Sequence, residues 1–280
     1  MNLKTRLKQF KQRPLTMVTC YDSAMAKLLD ESVIDLVLVG DSVAQVVHGF
    51  KDTSSATIEM MELHTQAVCR GLGAESIPVV SDMPFASVRQ GIHAATRWAT
   101  QLVRAGAQAV KIEALTGHQD VVEHLVGTGI PVMGHLGLTP QYVNEFGGYK
   151  VQAKTFDAAA GLLKQAHEYE SLGACALVLE CVPAPVAAKV AHELEIPVIG
   201  IGAGAEVDGQ VLVMHDLLGL SVDFKARFVR HFGLCAVQAQ AAFRSYAQAV
   251  RLRQFPNSSE SFETEFKVKE LTDEGRDNNL

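Results

Sequence analysis

Apolar residues along this chain fall into eight short runs, and the stretches between most of them carry apolar positions at helical spacing. The runs read "TMVTCYD", "DLVLVGDS", "IPVVSDMP", "AVKIEA", "IPVMGHL", "ALVLEC", "IPVIGIGAG" and "VLVMHD". Near-continuous apolar strands with helices between them predict a parallel sheet covered on both faces. Eight such units in roughly 250 residues match the size of an α/β protein of the (β/α)8 TIM-barrel class. The competing architecture is a doubly wound open sheet. Its glycine-rich candidate, "GIGAG" at Gly200 to Gly204, falls late in the chain, lacks the last glycine of the dinucleotide fingerprint and leads into no clear helix. The pattern favours the barrel. Ahead of the first strand, Leu3, Leu7 and Phe10 recur at helical spacing, which predicts a short docked N-terminal helix.

One strand departs from the apolar rule. In "AVKIEA", Lys111 and Glu113 share one face and Val110 and Ile112 the other, because strand side chains alternate. The segment before it, "RWATQLVRAG", reads as an amphipathic helix closed by Gly106. The arrangement recurs in "SLGACALVLE", where Glu180 follows Gly173 by seven residues, as Glu113 follows Gly106. A Gly-Ala pair before a strand is common loop chemistry, so the echo by itself is a weak signal. The position of the polar residues is a stronger one. The remaining strands finish with Asp22, Asp41-Ser42, Asp82, His135 and His215-Asp216. Ionisable groups thus gather at the C-terminal strand ends, the face where barrel enzymes hold their chemistry. Lys111 and Glu113 are expected to point inward near that mouth, where a polar ligand could satisfy them.

Asp41, Asp82 and Glu113 come from three successive strands and can converge. A set of oxygen ligands without Cys or His suits a hard cation such as Mg²⁺. Each acid taken singly has a plainer role, since an Asp after a strand often caps the next helix and Glu113 can pair with Lys111. Three on neighbouring strands are harder to explain that way, because unpaired inward carboxylates repel. Lys111 could be a Schiff-base nucleophile, an anion-binding group or an internal counter-ion; neighbouring acids favour its ammonium form and hence anion binding. Glu180, across the barrel from the second strand, is the candidate general base, against the alternative of capping the helix near "PAPVAAKV". His135 in "MGHLGLTP" either hydrogen-bonds a substrate or is a satisfied core histidine. His215-Asp216 is a weaker pair, and Met60, Met61 and Trp98 read as packing residues. There is no G-x-S-x-G motif and no suggestive Cys/His spacing, so covalent acyl chemistry is unsupported.

Composition narrows the setting. With 280 residues, 48% of them hydrophobic, the chain can bury a large core, and residues 1–255 are expected to form a single barrel domain. A net charge of −6 offers no electrostatic footprint for nucleic acid or an anionic membrane, and no apolar run is long enough to span a bilayer. The basic start, "MNLKTRLKQFKQRP", lacks the apolar stretch of a secretory signal. Five cysteines, none in a C-x-x-C pair, fit reduced thiols in a cytoplasmic protein. Residues 256–280 carry seven Asp or Glu against three Lys or Arg and little to pack, which predicts a mobile acidic tail.

The ordered series "TCYD", "LVLVGDS", "SDMPF", "AVKIE", "GHLGLTPQ", "FGGYKVQ", "LVLECVP", "IPVIGIGAG" and "DGQVLVMHD" closely resembles the ketopantoate hydroxymethyltransferase family, from about Leu15 to about Phe255. The resemblance implies a (β/α)8 barrel in a homo-oligomer, usually a decamer, acting on a small keto acid. It implies transfer of a one-carbon unit from the cosubstrate methylenetetrahydrofolate to 3-methyl-2-oxobutanoate, with one Mg²⁺ per subunit. By motif, Asp41, Asp82 and Glu113 would form the metal site, Glu113 through a water. Asp41, Ser42, Asp82 and Lys111 would hold the keto acid and Glu180 would accept the proton; His135, from its own position, is a further candidate substrate contact. Two departures stand out: "VVHGFKDTSSATIEM" replaces the family's usual loop sequence, and an acidic extension follows "FPNSSESFE". Two rival readings are a metal-dependent lyase or mutase of the phosphoenolpyruvate/pyruvate type, and a catalytically silent barrel serving as an assembly module.

Overall fold

The computed structural model describes residues 3–73, 77–221, 226–265 and 268. Eight parallel strands close into a barrel in sequence order: β1 (Leu15–Thr19), β2 (Leu36–Val39), β3 (Val79–Asp82), β4 (Ala109–Glu113), β5 (Val132–Gly137), β6 (Ala176–Glu180), β7 (Val198–Ile201) and β8 (Gly209–Leu212). The chain is an α/β protein of the (β/α)8 TIM-barrel class. Two details differ from the apolar pattern. The run "VLVMHD" is strand only to Leu212, after which Met214–Leu217 turns helical, and the Met214 N–H is taken by the Thr19 hydroxyl of β1 at 2.8 Å. Between β7 and β8 the chain makes turns without a helix.

Helices start and stop where side-chain chemistry allows. Thr57 and Thr155 cap the helices Ile58–Leu72 and Phe156–Ser171 by accepting the N–H of Met60 and Ala158. Gly106 and Gly173 follow the helices that precede β4 and β6 with φ of +115° and +89°, conformations that a Cβ disfavours.

The core lies in two shells. Outward strand residues such as Val37, Val110 and Leu177 pack under the helices. Inward residues, including Met17, Leu36, Val80, Met133, Val178 and Ile199, fill the barrel and share one apolar cluster with Leu7 and Phe10. The N-terminal helix (Leu3–Lys8) and the turn after it therefore add two buried side chains to the barrel filling, worth about 1.5–3 kcal/mol each. With apolar groups in the barrel interior, the polar residues are left at the C-terminal strand ends.

One compact unit runs to Phe232 and a second begins at Gly233. The second carries the helix Cys235–Arg251, which has no buried residue and exposes Val237, Phe243 and Tyr246. Of the expected acidic tail, Ser258–Glu260 forms a short turn whose N-cap, Asn257, makes a capping box with Glu260. Residues 266, 267 and 269–280 of it lie outside the described residues.

Candidate active site

Strand pairing decides which charged groups meet. The register sets Asp82 beside Lys111, Glu113 beside His135, and His135 beside Val178. All of these side chains sit at the mouth yet are nearly sealed: Asp41 is 4% exposed, Asp82 2%, Lys111 4%, Glu113 3% and His135 2%. Lys111 Nζ stands 3.1 Å from Asp82 Oδ1, 3.4 Å from Glu113 Oε1 and 3.2 Å from His135 Nδ1. The two same-face charges of "AVKIEA" are thus the centre of a buried network. His135 Nδ1 also lies 3.2 Å from Glu113 Oε1, and its Nε2 lies 3.4 Å from Glu180 Oε2. If Nδ1 accepts from the ammonium, the neutral ring carries its hydrogen on Nε2, which is near Glu180 but makes no hydrogen bond among the described residues.

Charge balance in the cluster is uneven. Burial opposes ionisation of Glu113, but Lys111 and His135 outweigh it and hold this carboxyl below the usual range. Asp82 is raised by burial in spite of Lys111. Asp41 is raised well above the ordinary value, first by burial and then by repulsion from Asp82 and Glu113. Lys111 loses by burial and gains more from the three acids, so its ammonium is favoured, which argues against a free-amine nucleophile. For His135, burial and Lys111 disfavour the imidazolium, while Glu113 and Glu180 lift the ring above its ordinary value.

Each alternative role can be checked against the geometry. Asp22 is a helix cap, accepting the Met25 N–H at 2.8 Å. Asp41 is no cap; its own N–H donates to Asp82 Oδ2 at 2.9 Å. Glu180 does not cap the next helix, whose N-cap is Pro183 without a side-chain bond. Its side chain is 14% exposed, against 2% for Glu113. Ser42 shares a hydrogen bond of 2.8 Å with the buried Tyr21 hydroxyl. His215 stands apart, packing its ring against Tyr21 at 5.6 Å, and Asp216 lies beside it in the helix Met214–Leu217. The divergent loop folds on itself: Asp52 caps the turn Thr53–Ser55, and Gln45 donates to the Lys51 carbonyl.

Backbone devices fix the two glutamates. Gly137 has φ of +91°, and a Cβ there would stand 2.3 Å from the Glu180 carbonyl oxygen; the next residue, Leu138, donates its N–H to that oxygen at 2.8 Å. Tyr169, fully buried on its helix, aims its hydroxyl at the carbonyls of Ile112 and Ala114 on either side of Glu113. Its ring lies so close to β5 that Gly134 could carry no Cβ.

One residue that the sequence did not single out is Gln141, in the turn Pro140–Tyr142 after β5. Its side-chain amide donates to Asp41 Oδ2 at 2.7 Å and to the Met83 carbonyl at 3.0 Å, and its backbone N–H donates to Glu113 Oε2 at 3.0 Å. It stands in the motif "GHLGLTPQ", which was the available signal. Among the described residues, no group of three or more His, Cys, Asp or Glu side chains is arranged so that it could hold a metal ion.

A sequence model for the family described as ketopantoate hydroxymethyltransferase matches residues 2–258. A 3-methyl-2-oxobutanoate hydroxymethyltransferase of Legionella pneumophila (strain Lens) is 47% identical over 258 residues, 92% of this chain and 98% of that protein. The enzyme of the same name from Francisella tularensis subsp. novicida (strain U112) is 41% identical, covering 89% of this chain and 93% of that protein. Among solved structures, phosphonopyruvate hydrolase in complex with oxalate and Mg²⁺ aligns with a TM-score of 0.58 at 13% identity, over 93% of each chain. A 2,3-dimethylmalate lyase of the PEP mutase/isocitrate lyase superfamily aligns with a TM-score of 0.55 at 16% identity, over 97% of this chain and 93% of that one. At such identities these two show a shared fold and nothing more.

Proposed function

The chain belongs to the ketopantoate hydroxymethyltransferase family and is a hydroxymethyltransferase, and we propose that its barrel mouth moves a one-carbon unit from methylenetetrahydrofolate to 3-methyl-2-oxobutanoate, giving 2-dehydropantoate. The observation that carries the division of labour is the segregation of acids: three buried carboxylates gathered around one lysine, and a fourth, Glu180, standing apart and more open. Glu180 takes the proton from the branched carbon of the keto acid; the enolate carbon bonds to the folate's methylene carbon, a water supplies the oxygen of the new hydroxyl, and the methylene–nitrogen bonds break so that tetrahydrofolate leaves with the nitrogen reprotonated. The Lys111 ammonium and the Ser42 hydroxyl hold the keto-acid carboxylate. His135 Nε2, buried beside Glu180 and without a hydrogen-bond partner among the described residues, donates to a substrate oxygen. A positioned base of this kind contributes about 10²–10⁴-fold.

The chemistry of the donors, though not their arrangement as they stand, suits Mg²⁺, one per subunit. Three buried carboxylates face a single lysine, so a further cation relieves their repulsion, and oxygen ligands suit a hard ion that completes its shell with waters and substrate oxygens. Asp41 and Asp82 would hold it directly and Glu113 through a water. When bound, the ion supplies Lewis-acid stabilisation of charge on the keto oxygen.

The same reading includes assembly as a homo-oligomer, a decamer by family resemblance, supported by the exposed apolar side chains of the helix Cys235–Arg251. It includes a cytoplasmic setting, supported by five free cysteines. No helix among the described residues is long and apolar enough to cross a membrane.

The test is solvent exchange. In D₂O with Mg²⁺ and no folate, the protein should exchange the hydrogen on the branched carbon of 3-methyl-2-oxobutanoate. Removing the ion with a chelator should stop it, and product should form only when the folate donor is added. An absence of exchange with Mg²⁺ present, or turnover without a folate, would overturn the reading.

A further inference from the structure

We infer that Gln141 is a positioning residue that sets the orientation of Asp41, and through it the affinity of the site for its divalent cation; the inference rests on the functional reading above. Asp41 follows β2 by two residues and is not held by the strand ladder. Its carboxylate is buried, and among the described residues the one hydrogen bond that reaches its side chain is the 2.7 Å bond from Gln141 Nε2. Without that donor, only the attraction of the Lys111 ammonium would oppose rotation of the carboxylate away from Asp82 and Glu113, which repel it. The amide is suited to the task because it is neutral. It restrains an anion without cancelling the charge that a cation needs, whereas a lysine here would compete with the metal.

The turn carrying Gln141 is itself anchored. Its backbone N–H holds Glu113 Oε2, and the second hydrogen of the side-chain amide is taken by the Met83 carbonyl just past β3. On the outer side, Arg89 Nε donates to the Tyr142 hydroxyl at 3.0 Å and its Nη2 donates to the Thr116 carbonyl at 3.2 Å. One residue after β5 thereby ties the ends of β2, β3 and β4 together, and two of its three bonds are to carboxylates. The Glu113 bond comes from the backbone and is kept when the side chain is changed, so Met or Asn at this position alters the Asp41 and Met83 contacts alone.

The experiment uses full-length Gln141→Met, similar in length but without a donor, and Gln141→Asn, which keeps the amide and loses reach. Mn²⁺ is the probe, its binding in the presence of keto acid followed by loss of the free-ion EPR signal. Partners of metal ligands typically tune affinity by about 10–100-fold, so the Mn²⁺ dissociation constant and the keto-acid KM should rise by that factor, with the folate KM within about twofold of wild type. Variant Mn²⁺ affinity within twofold of wild type overturns the inference while leaving the functional reading intact. So does a parallel rise in the folate KM, or failure of both variants to fold, since either makes Gln141 a general structural residue. Failure of the wild-type protein to bind Mn²⁺ overturns the functional reading, and this inference with it.

Discussion

Two strand ends in this barrel are built to one plan and arrive at different chemistry. β4 and β6 are each five residues long, each follows a helix closed by a left-handed glycine, and each ends in a glutamate. The parallel goes one residue further than the sequence suggested. Ala114 and Cys181, directly after Glu113 and Glu180, both adopt left-handed conformations, with φ of 60° and 48°. The difference lies two positions before each glutamate, where β4 has Lys111 and β6 has Val178. Glu113 is therefore sealed against an ammonium, with its carboxyl held below the usual range by Lys111 and His135 against burial. Glu180 has His135 Nε2 at 3.4 Å and keeps contact with solvent. A single inward lysine separates a sealed, paired carboxylate from the more open one proposed as the base.

Exchanging the carboxylate for an amide at β6 is the severest way to sharpen this comparison. Glu180→Gln should lower solvent exchange at the branched carbon of the keto acid by about 10²–10⁴-fold while keto-acid binding persists. Unchanged exchange would remove Glu180 from the base role. At β4 the corresponding injury is to stability. Lys111→Met strands Asp41, Asp82 and Glu113 together without a counter-charge, and removing one partner of a buried pair typically costs about 3–5 kcal/mol. Urea unfolding measures it, and a variant as stable as wild type would mean that the acids are not held in their charged forms by the lysine.

Why β4 and β6 were legible, and the turn between β5 and its helix was not, has a physical basis. A parallel strand buried on both faces announces itself by its apolar run, and its end then places a polar residue at the barrel mouth with no further information. Asp82, Lys111, Glu113 and Glu180 were readable for that reason. The same apolar signal cannot distinguish strand from helix in a short run, and "VLVMHD" was read as strand beyond Leu212, where the Thr19 hydroxyl instead receives the first N–H of a helix. Gln141 has no periodicity to betray it, because its place is set by a proline-initiated turn and by carboxylates more than twenty residues away in sequence. Tyr169 was equally hidden, since its hydroxyl acts on β4 from a helix that follows β5.

Tyr169 supplies the mildest and most selective way to separate the two strand ends. Its hydroxyl reaches the carbonyls of Ile112 and Ala114, so it stiffens the backbone on both sides of Glu113, and among the described residues it makes no hydrogen bond to Glu180. Tyr169→Phe keeps the ring that fits over Gly134 and removes the donor alone. The Ala114 carbonyl retains the His118 ring nitrogen at 3.2 Å, which limits the loss to about 1 kcal/mol, the worth of one neutral hydrogen bond. In a protein of this size that corresponds to a melting temperature lower by about 2–4 °C. Since Glu180 is held instead by Leu138 and by the close approach of Gly137, solvent exchange of the keto acid should stay within about twofold of wild type. A large loss of exchange in Tyr169→Phe would show that the two ends are mechanically coupled, and the contrast between a structural and a reactive glutamate would have to be redrawn as one shared unit.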